Sequence, residues 1–311
     1  RCVRRDASGR TAALDAIRAR QRHARRLTAA MREIYSQQGN AAFEALLAAR
    51  TATRQAAFFM PHLTPGMRVL DVGCGPGSIT LGLAEHVAPG PVVGVDIQPA
   101  QVQRARALAA AHGATTLRFE VADLYALPFA DGSFDAAFAH GVLMHLREPA
   151  RALAEVRRVL RPDGIVGIRD PDFGANLFAP TTALLQRWFA LRVQIRQHNG
   201  GNPYLGRHHR RLLLEAGFQH AEAGASVDSA GAAPDVRRHA AFHVAQLQGL
   251  STTALAQGWL DAATVDGIAA DFDAWSQRAD AFCAVTWCEA VGRSGVAASH
   301  AKSTQSAPLT I

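Results

Sequence analysis

Asp71 and Asp96 are the residues whose placing says most about chemistry. Asp71 lies in the apolar run Val69-Leu70-Asp71-Val72, which leads into Gly73-Cys74-Gly75-Pro76-Gly77, and Ser78-Ile79-Thr80-Leu81 then opens a helix. Glycines at 73, 75 and 77 let the backbone turn sharply and approach a ligand with no Cβ in the way. The free N–H groups of a helix start favour an anionic group. The dinucleotide fingerprint G-x-G-x-x-G is not met, because its third glycine would fall on Ser78. A carboxylate at Asp71 also sits poorly beside a pyrophosphate, whereas it suits a ligand that carries an ammonium. Asp96 ends the next apolar run, Val92-Val93-Gly94-Val95-Asp96, about 20 residues past the turn, where a carboxylate takes both hydroxyls of a ribose.

Ribose, ammonium and carboxylate occur together in S-adenosylmethionine. On these residues, followed in order by Ala122-Asp123-Leu124 and His140-Gly141-Val142-Leu143-Met144-His145, the chain resembles the class I, Rossmann-like methyltransferases that depend on S-adenosylmethionine. Within them it is most similar to the type 11 group, which includes the ubiquinone and menaquinone C-methyltransferases. The resemblance runs from about Pro61 to Phe218. It implies that Asp71 faces the methionine ammonium while Gly73, Cys74, Gly75 and Gly77 pack along the methionine chain. Asp96 is then expected on the ribose diol, Ile97 on one face of the adenine, and Asp123, flanked by Ala122 and Leu124, on the adenine amine. His140 is expected near the methionine portion, and Tyr35 and Arg54, on an N-terminal lid, near the cofactor carboxylate.

Ligands of open α/β sheets bind beyond the carboxyl ends of the strands, so the stretch after the fourth strand is where donor and acceptor should meet. His140, His145 and Asp172 are the candidates there for taking a proton from an acceptor. Asp170 could position the acceptor, and Arg169 could pair with either aspartate. In-line placement of nucleophile, methyl and sulfur supplies most of the acceleration in methyl transfer, so a catalytic motif need not be readable. The loop Asn199-Gly200-Gly201-Asn202-Pro203-Tyr204 either shapes the substrate pocket or simply connects. His208 and His209 read as a solvated helix face, and no residues read as metal ligands.

These groups are positioned by an alternation of strands and helices, which implies a parallel sheet covered on both faces. Strands are expected at about 68–72, 91–96, 116–121, 134–139 and 164–169, and helices at about 78–87, 99–112 and 148–160, the last closed by a turn at Arg161-Pro162-Asp163-Gly164. The fold class is therefore α/β. It is a Rossmann-like, seven-stranded, mostly parallel sheet with a helical lid at 31–60 and helical insertions before and after the sixth strand. The segments 174–216 and 230–280 fall on the substrate side, where Trp188 and Phe189 are expected to offer an apolar wall. A strand near 218–226 and a last one at Phe282–Val291 complete the order 3-2-1-4-5-7-6 that the resemblance implies.

Residues 1–33 hold ten arginines against Asp6, Asp15 and Glu33, which accounts for the whole net charge of +7. The rest of the chain is neutral, so no basic face is implied for a nucleic acid. Residues 1–30 read as a basic arm, disordered or foreign to the native protein, with Met31 a possible start. The methyltransferase domain is expected over 31–292 and a disordered tail over 293–311. No apolar run reaches the length of a membrane span, and four cysteines without ligand spacing fit a cytoplasmic protein. The function the resemblance implies is methyl transfer from S-adenosylmethionine to a small, largely apolar acceptor on O, N or C, in bacterial secondary or quinone-type metabolism. An RNA methyltransferase and a non-catalytic S-adenosylmethionine-binding protein are the alternatives. The first would want an Asp/Asn-Pro-Pro-aromatic loop after the fourth strand, where this chain has His140-Gly141-Val142-Leu143.

Overall fold

The computed structural model describes residues 39–295. The basic arm, the first part of the lid including Tyr35, and most of the tail lie outside the described residues. From Val69 onward, strand and helix alternate as the periodicity requires. The first strands are β1 (Val69–Val72), β2 (Val92–Asp96), β3 (Leu117–Val121), β4 (Phe134–His140) and β5 (Leu160–Pro171). They are joined by α3 (Ser78–Val87), α4 (Pro99–Ala111) and α5 (Pro149–Val159), while α1 (Ala41–Ala48) and α2 (Ala52–Gln55) precede them. Every residue of β1 is buried, as expected of a parallel strand covered on both faces. Val69 joins Leu83, Val87, Val102 and Phe138 on one side of the sheet. Leu70 joins Leu153, Val156, Ile168 and Leu213 on the other. The alternation of side chains along a strand produces these two cores directly.

The sheet has eight strands rather than seven. Beyond β5 come β6 (Leu177–Ala179), β7 (His220–Ala230) and β8 (Phe282–Arg293). Strands β3, β2, β1, β4 and β5 run parallel in that order, and β8 is antiparallel to β5. β7 takes one edge of β8 from Cys283 to Arg293. The other edge is shared, β5 facing 287–293 and β6 facing 282–284. The order 3-2-1-4-5-7-6 is thus present, with a three-residue strand extending the line of β5. The expected turn at 161–164 lies inside β5 as a break in register with β4, between Phe134 and Ala136, and Asp163 has a φ of 60°.

The remaining helices are α6 (Ala183–His198), α7 (His209–Glu215), α8 (Ala233–Ala256) and α9 (Ala262–Ser276). Thr182 and Asp261 cap α6 and α9 by accepting from the N–H groups of Leu185 and Thr264. Helices α6, α8 and α9 build a third core of their own, with Trp188, Ile195, Val236, Leu247, Phe272 and Trp275. This helical cap stands over the carboxyl ends of β4 and β5. The lid helix α1 crosses from the other side. Asn40 donates to Ala245 O of α8 (2.6 Å), Phe43 packs on Phe242, and Glu44 binds Gln101 and Arg104 of α4.

Candidate active site

One cleft gathers the carboxyl ends of β1, β2, β4 and β5, roofed by α1, α6 and α8. The order of strands reverses beside β1, which leaves a crevice at such ends. At one end of the cleft the turn 73–77 makes the floor. Gly73, Gly75 and Gly77 all have φ between 52° and 86°, in the left-handed region that only glycine adopts at low cost. A Cβ at Gly75 would meet nothing, because it points into open cleft, whereas one at Gly77 would strike Ala105 and Phe119. Gly77 therefore serves the packing of α3 and does not line the cleft.

Asp71 is 3% exposed and accepts from Thr80 Oγ1 at 2.6 Å. Burial, more than any neighbouring charge, raises its carboxyl from 3.8 to about 7. Asp96 is held by two backbone donors, Gly75 N–H to Oδ2 (3.0 Å) and Gln98 N–H to Oδ1 (2.9 Å), and burial raises its pKa as well. Among the described residues neither carboxylate has a cationic partner. Ile97, apolar yet 48% exposed, lines the same space, as do Cys74, Asp123 and Leu124. Ala122 lies behind them and donates to Asp96 O (3.1 Å). A buried and a partly buried acid, neither with a cationic partner among the described residues, a backbone cradle that a Cβ would fill and an exposed isoleucine fit the ammonium, methionine chain and adenine of S-adenosylmethionine.

Arg54 is placed elsewhere. It is exposed and pairs with Asp228 at 3.2 Å, outside the cleft, while Arg50 lines it instead. The lid helix ends at Ala48, which turns Arg50 inward. Tyr35 lies outside the described residues.

The acceptor end departs further from expectation. His140 does line the cleft, its ring stacked 4.8 Å from Trp287, which in turn lies 4.3 Å under the Arg169 guanidinium. Among the described residues neither ring nitrogen of His140 has a hydrogen-bond partner. Burial, then Arg50 and Arg169, depress its pKa well below the usual histidine value. His145 also lines the cleft, but its Nδ1 accepts from Arg196 Nη1. That fixes the proton on Nε2, and burial and Arg196 push the pKa far down. His145 is therefore a hydrogen-bond donor rather than a base. Asp172 is not in the cleft at all: Arg207 binds both its oxygens, at 2.5 and 2.7 Å, and its Oδ1 also caps Gly174.

Further expectations are corrected. Arg169 pairs with Glu289 (2.9 Å), not with an aspartate. Asp170, fully buried, binds His209 Nε2 at 3.0 Å and receives Met144 N–H at 3.2 Å. His209 is thus a core residue that braces the turn after β4, not part of a solvated face. Trp188 and Phe189 belong to the cap core, so the apolar wall comes from Phe43, Phe173, Phe242, Leu250, Val285 and Trp287. The loop 199–204 does not line the cleft; Asn202 N–H donates to Met144 O and Phe173 N–H to Pro203 O, so the loop supports both turns. The sequence reading missed Arg50, Arg192 and Arg196. A signal existed for Arg192, which follows Trp188 by four residues on the otherwise apolar stripe of α6.

Comparison with known proteins points to the same fold. Residues 63–210 match the family model described as a methyltransferase domain. An uncharacterized methyltransferase of Schizosaccharomyces pombe is 33% identical over 177 residues, which is 54% of this chain and 63% of that protein. An O-methyltransferase of Aspergillus sclerotiorum is 33% identical over 156 residues, 50% of this chain and 55% of the relative. The chain thus spans about half the length of the curated relatives it matches. Among solved structures, phosphoethanolamine N-methyltransferase 2 of Haemonchus contortus, in complex with S-adenosyl-L-methionine, superposes with a TM-score of 0.55 at 19% identity, covering 85% of this chain and 58% of that one. Residues 63–210 are thus similar to a methyltransferase domain, and the described strands and helices share the Rossmann-like fold of a solved methyltransferase.

Proposed function

We propose that this protein transfers the methyl group of S-adenosylmethionine to a small-molecule acceptor bound between the ends of β4 and β5, the lid and the helical cap. The observation that carries the reading is the pair Asp71 and Asp96. Among the described residues they are two carboxylates without a cationic partner, Asp71 buried and Asp96 partly buried, on neighbouring strands and lining one cleft. When bound, the cofactor supplies an electrophilic methyl group on a sulfonium. Asp71 receives the ammonium, Asp96 the ribose diol and Asp123 the adenine amine, while Ile97 covers one ring face. Arg50, which lines the same cleft, takes the cofactor carboxylate in place of Arg54.

On the acceptor side the chain contributes placement and exclusion of water. The aromatic wall suits a largely apolar body, and among the described residues His140 is the cleft histidine with neither ring nitrogen hydrogen-bonded. His145 donates from Nε2. Affiliation with the type 11, quinone-methylating group and a place in bacterial secondary or quinone-type metabolism rest on the sequence motifs, and a cytoplasmic location on composition. No helix among the described residues is long and apolar enough to cross a membrane.

Calorimetry with S-adenosylhomocysteine tests the reading. Wild-type protein should bind in the micromolar range, about −8 kcal/mol. Asp96→Ala should lose about 1.5–3 kcal/mol through its charge-assisted hydrogen bonds. Binding of NAD in preference to S-adenosylhomocysteine would sink it.

A further inference from the structure

The acceptor half of the cleft contains a buried arginine that no carboxylate neutralises. Arg192 is 8% exposed and lines the cleft. Its guanidinium carbon lies 4.1 Å from the centre of the Phe173 ring and 6.0 Å from that of Trp188. Among the described residues no acid pairs with it, and the charged group that bears on it most is another cation, Arg196. On α8, the buried His243 stands near it and is held neutral in part by it. Burial and Arg196 together pull the guanidinium down to about 9, far from its usual range.

The cleft is polarised as a whole. Asp71, Asp96 and Asp123 lie at the cofactor end, and Arg50, Arg192 and Arg196 line the roof. Arg196 is engaged with His145, and Arg50 is the cleft arginine assigned above to the cofactor carboxylate. Arg192 therefore has no assignment in cofactor binding. An isolated buried cation is costly, and a ring face compensates only part of that cost. Ring contacts use none of the N–H donors, so the guanidinium keeps the fork that matches a carboxylate through two parallel hydrogen bonds.

We infer that the methyl acceptor carries a carboxylate on a small apolar body, and that Arg192 binds this carboxylate. The inference rests on the methyl-transfer reading above. A single uncommitted guanidinium neutralises one negative charge, which favours a carboxylate over a phosphate monoester with nearly two. Phe173, Phe242 and Trp287 supply the apolar surroundings for the body of the acceptor.

The test uses the full chain saturated with S-adenosylhomocysteine and calorimetric titration of matched probes: benzoate against benzamide, 2-naphthoate against 2-naphthamide, and octanoate against octanamide. At least one carboxylate should bind about tenfold or more tightly than its amide. Arg192→Met should abolish that preference, and Arg192→Lys should retain part of it. Affinity for S-adenosylhomocysteine should be unchanged in both variants. Because Met removes a buried unpaired charge, the Arg192→Met melting temperature should equal or exceed that of the wild type.

Equal binding of acid and amide in every pair, no binding by any probe, or a preference that survives Arg192→Met would overturn the assignment. So would a marked fall in melting temperature for Arg192→Met, which would give the residue to packing. Tighter binding of 2-naphthyl phosphate than of 2-naphthoate would overturn the choice of carboxylate. Failure of the wild type to bind S-adenosylhomocysteine is a separate result, and it removes the methyl-transfer reading itself.

Discussion

At the scale of single residues, Asp71 couples the site to pH. Its carboxyl is raised to about 7, chiefly by burial, and a neutral acid attracts an ammonium far less than a carboxylate does. Affinity for S-adenosylhomocysteine should therefore rise as pH increases from about 6 to 8 and ligand binding should release a proton. Titration in buffers of different ionisation enthalpy reads both. In Asp71→Asn the dependence should vanish and affinity should be weak throughout. The same elevation has the opposite sign for folding. A carboxyl whose folded pKa is raised lends stability that is complete below about pH 4 and lost as pH climbs through about 7. At pH 8 the ligand-free Asp71→Asn protein should then be more stable than the wild type. The gain is at most about 4 kcal/mol, the free energy that corresponds to raising a carboxyl from 3.8 to about 7. A lower melting point for the variant at pH 8 would show that the carboxylate is stabilised by something other than its ligand. His140 makes a contrasting case. Its ring is held neutral well below the ordinary histidine range, so turnover should show no inflection from it between about pH 6 and 9. His140→Gln should alter rate without altering the shape of the pH profile.

At the scale of elements, the lid helix is tied to two neighbours. Glu44 reaches Gln101 and Arg104 of α4, and Asn40 reaches α8. Such an element is expected to open during ligand exchange. Glu44→Ala should speed dissociation of S-adenosylhomocysteine in stopped flow, with little change in melting temperature because Arg104, its partner, is largely exposed. An unchanged off-rate would mean that ligands enter elsewhere. The elements themselves were largely legible from sequence. β1 to β4, α3, α4 and α5 fall within one to two residues of where apolar periodicity and the Pro and Gly punctuation put them. β6 was not legible, because Leu177–Ala179 has no periodicity of its own and owes its conformation to the edge of β8. The register break in β5 hides behind Arg-Pro-Asp-Gly, which reads as a turn and does turn, without leaving the sheet. Site residues divide on the same line. Those on strand ends and the glycine turn were readable, since local sequence fixes both their element and its end. Arg50, Arg196 and the aromatic wall were not, because their inward aim depends on how α1, α6 and α8 cross the sheet. Arg54 illustrates the difference, since a shift of four residues decides between the cleft and Asp228.

At the scale of the whole molecule, the two halves of the cleft belong to different cores. The cofactor end is built on the sheet, where Val69, Leu70 and Val95 are fully buried. The acceptor roof is built on the cap, whose apolar residues form a cluster separate from both sheet cores. Phe272 stands near the centre of that cluster. It is fully buried, stacks 4.9 Å from His243, and does not touch the cleft. Phe272→Ala should cost about 3–5 kcal/mol in the stability of the cap, through lost burial and the cavity left behind. Hydrogen exchange should show this as faster opening of α6, α8 and α9, with β1 to β4 still protected. Because Asp71, Asp96 and the glycine turn are untouched, affinity for S-adenosylhomocysteine should remain close to that of the wild type. Binding on the acceptor side, which depends on where α6 and α8 hold Arg192, Phe242 and Leu250, should weaken strongly. Equal acceleration of exchange in the sheet and the cap would mean that the molecule opens as one cooperative unit, and that acceptor and cofactor sites cannot be loosened independently.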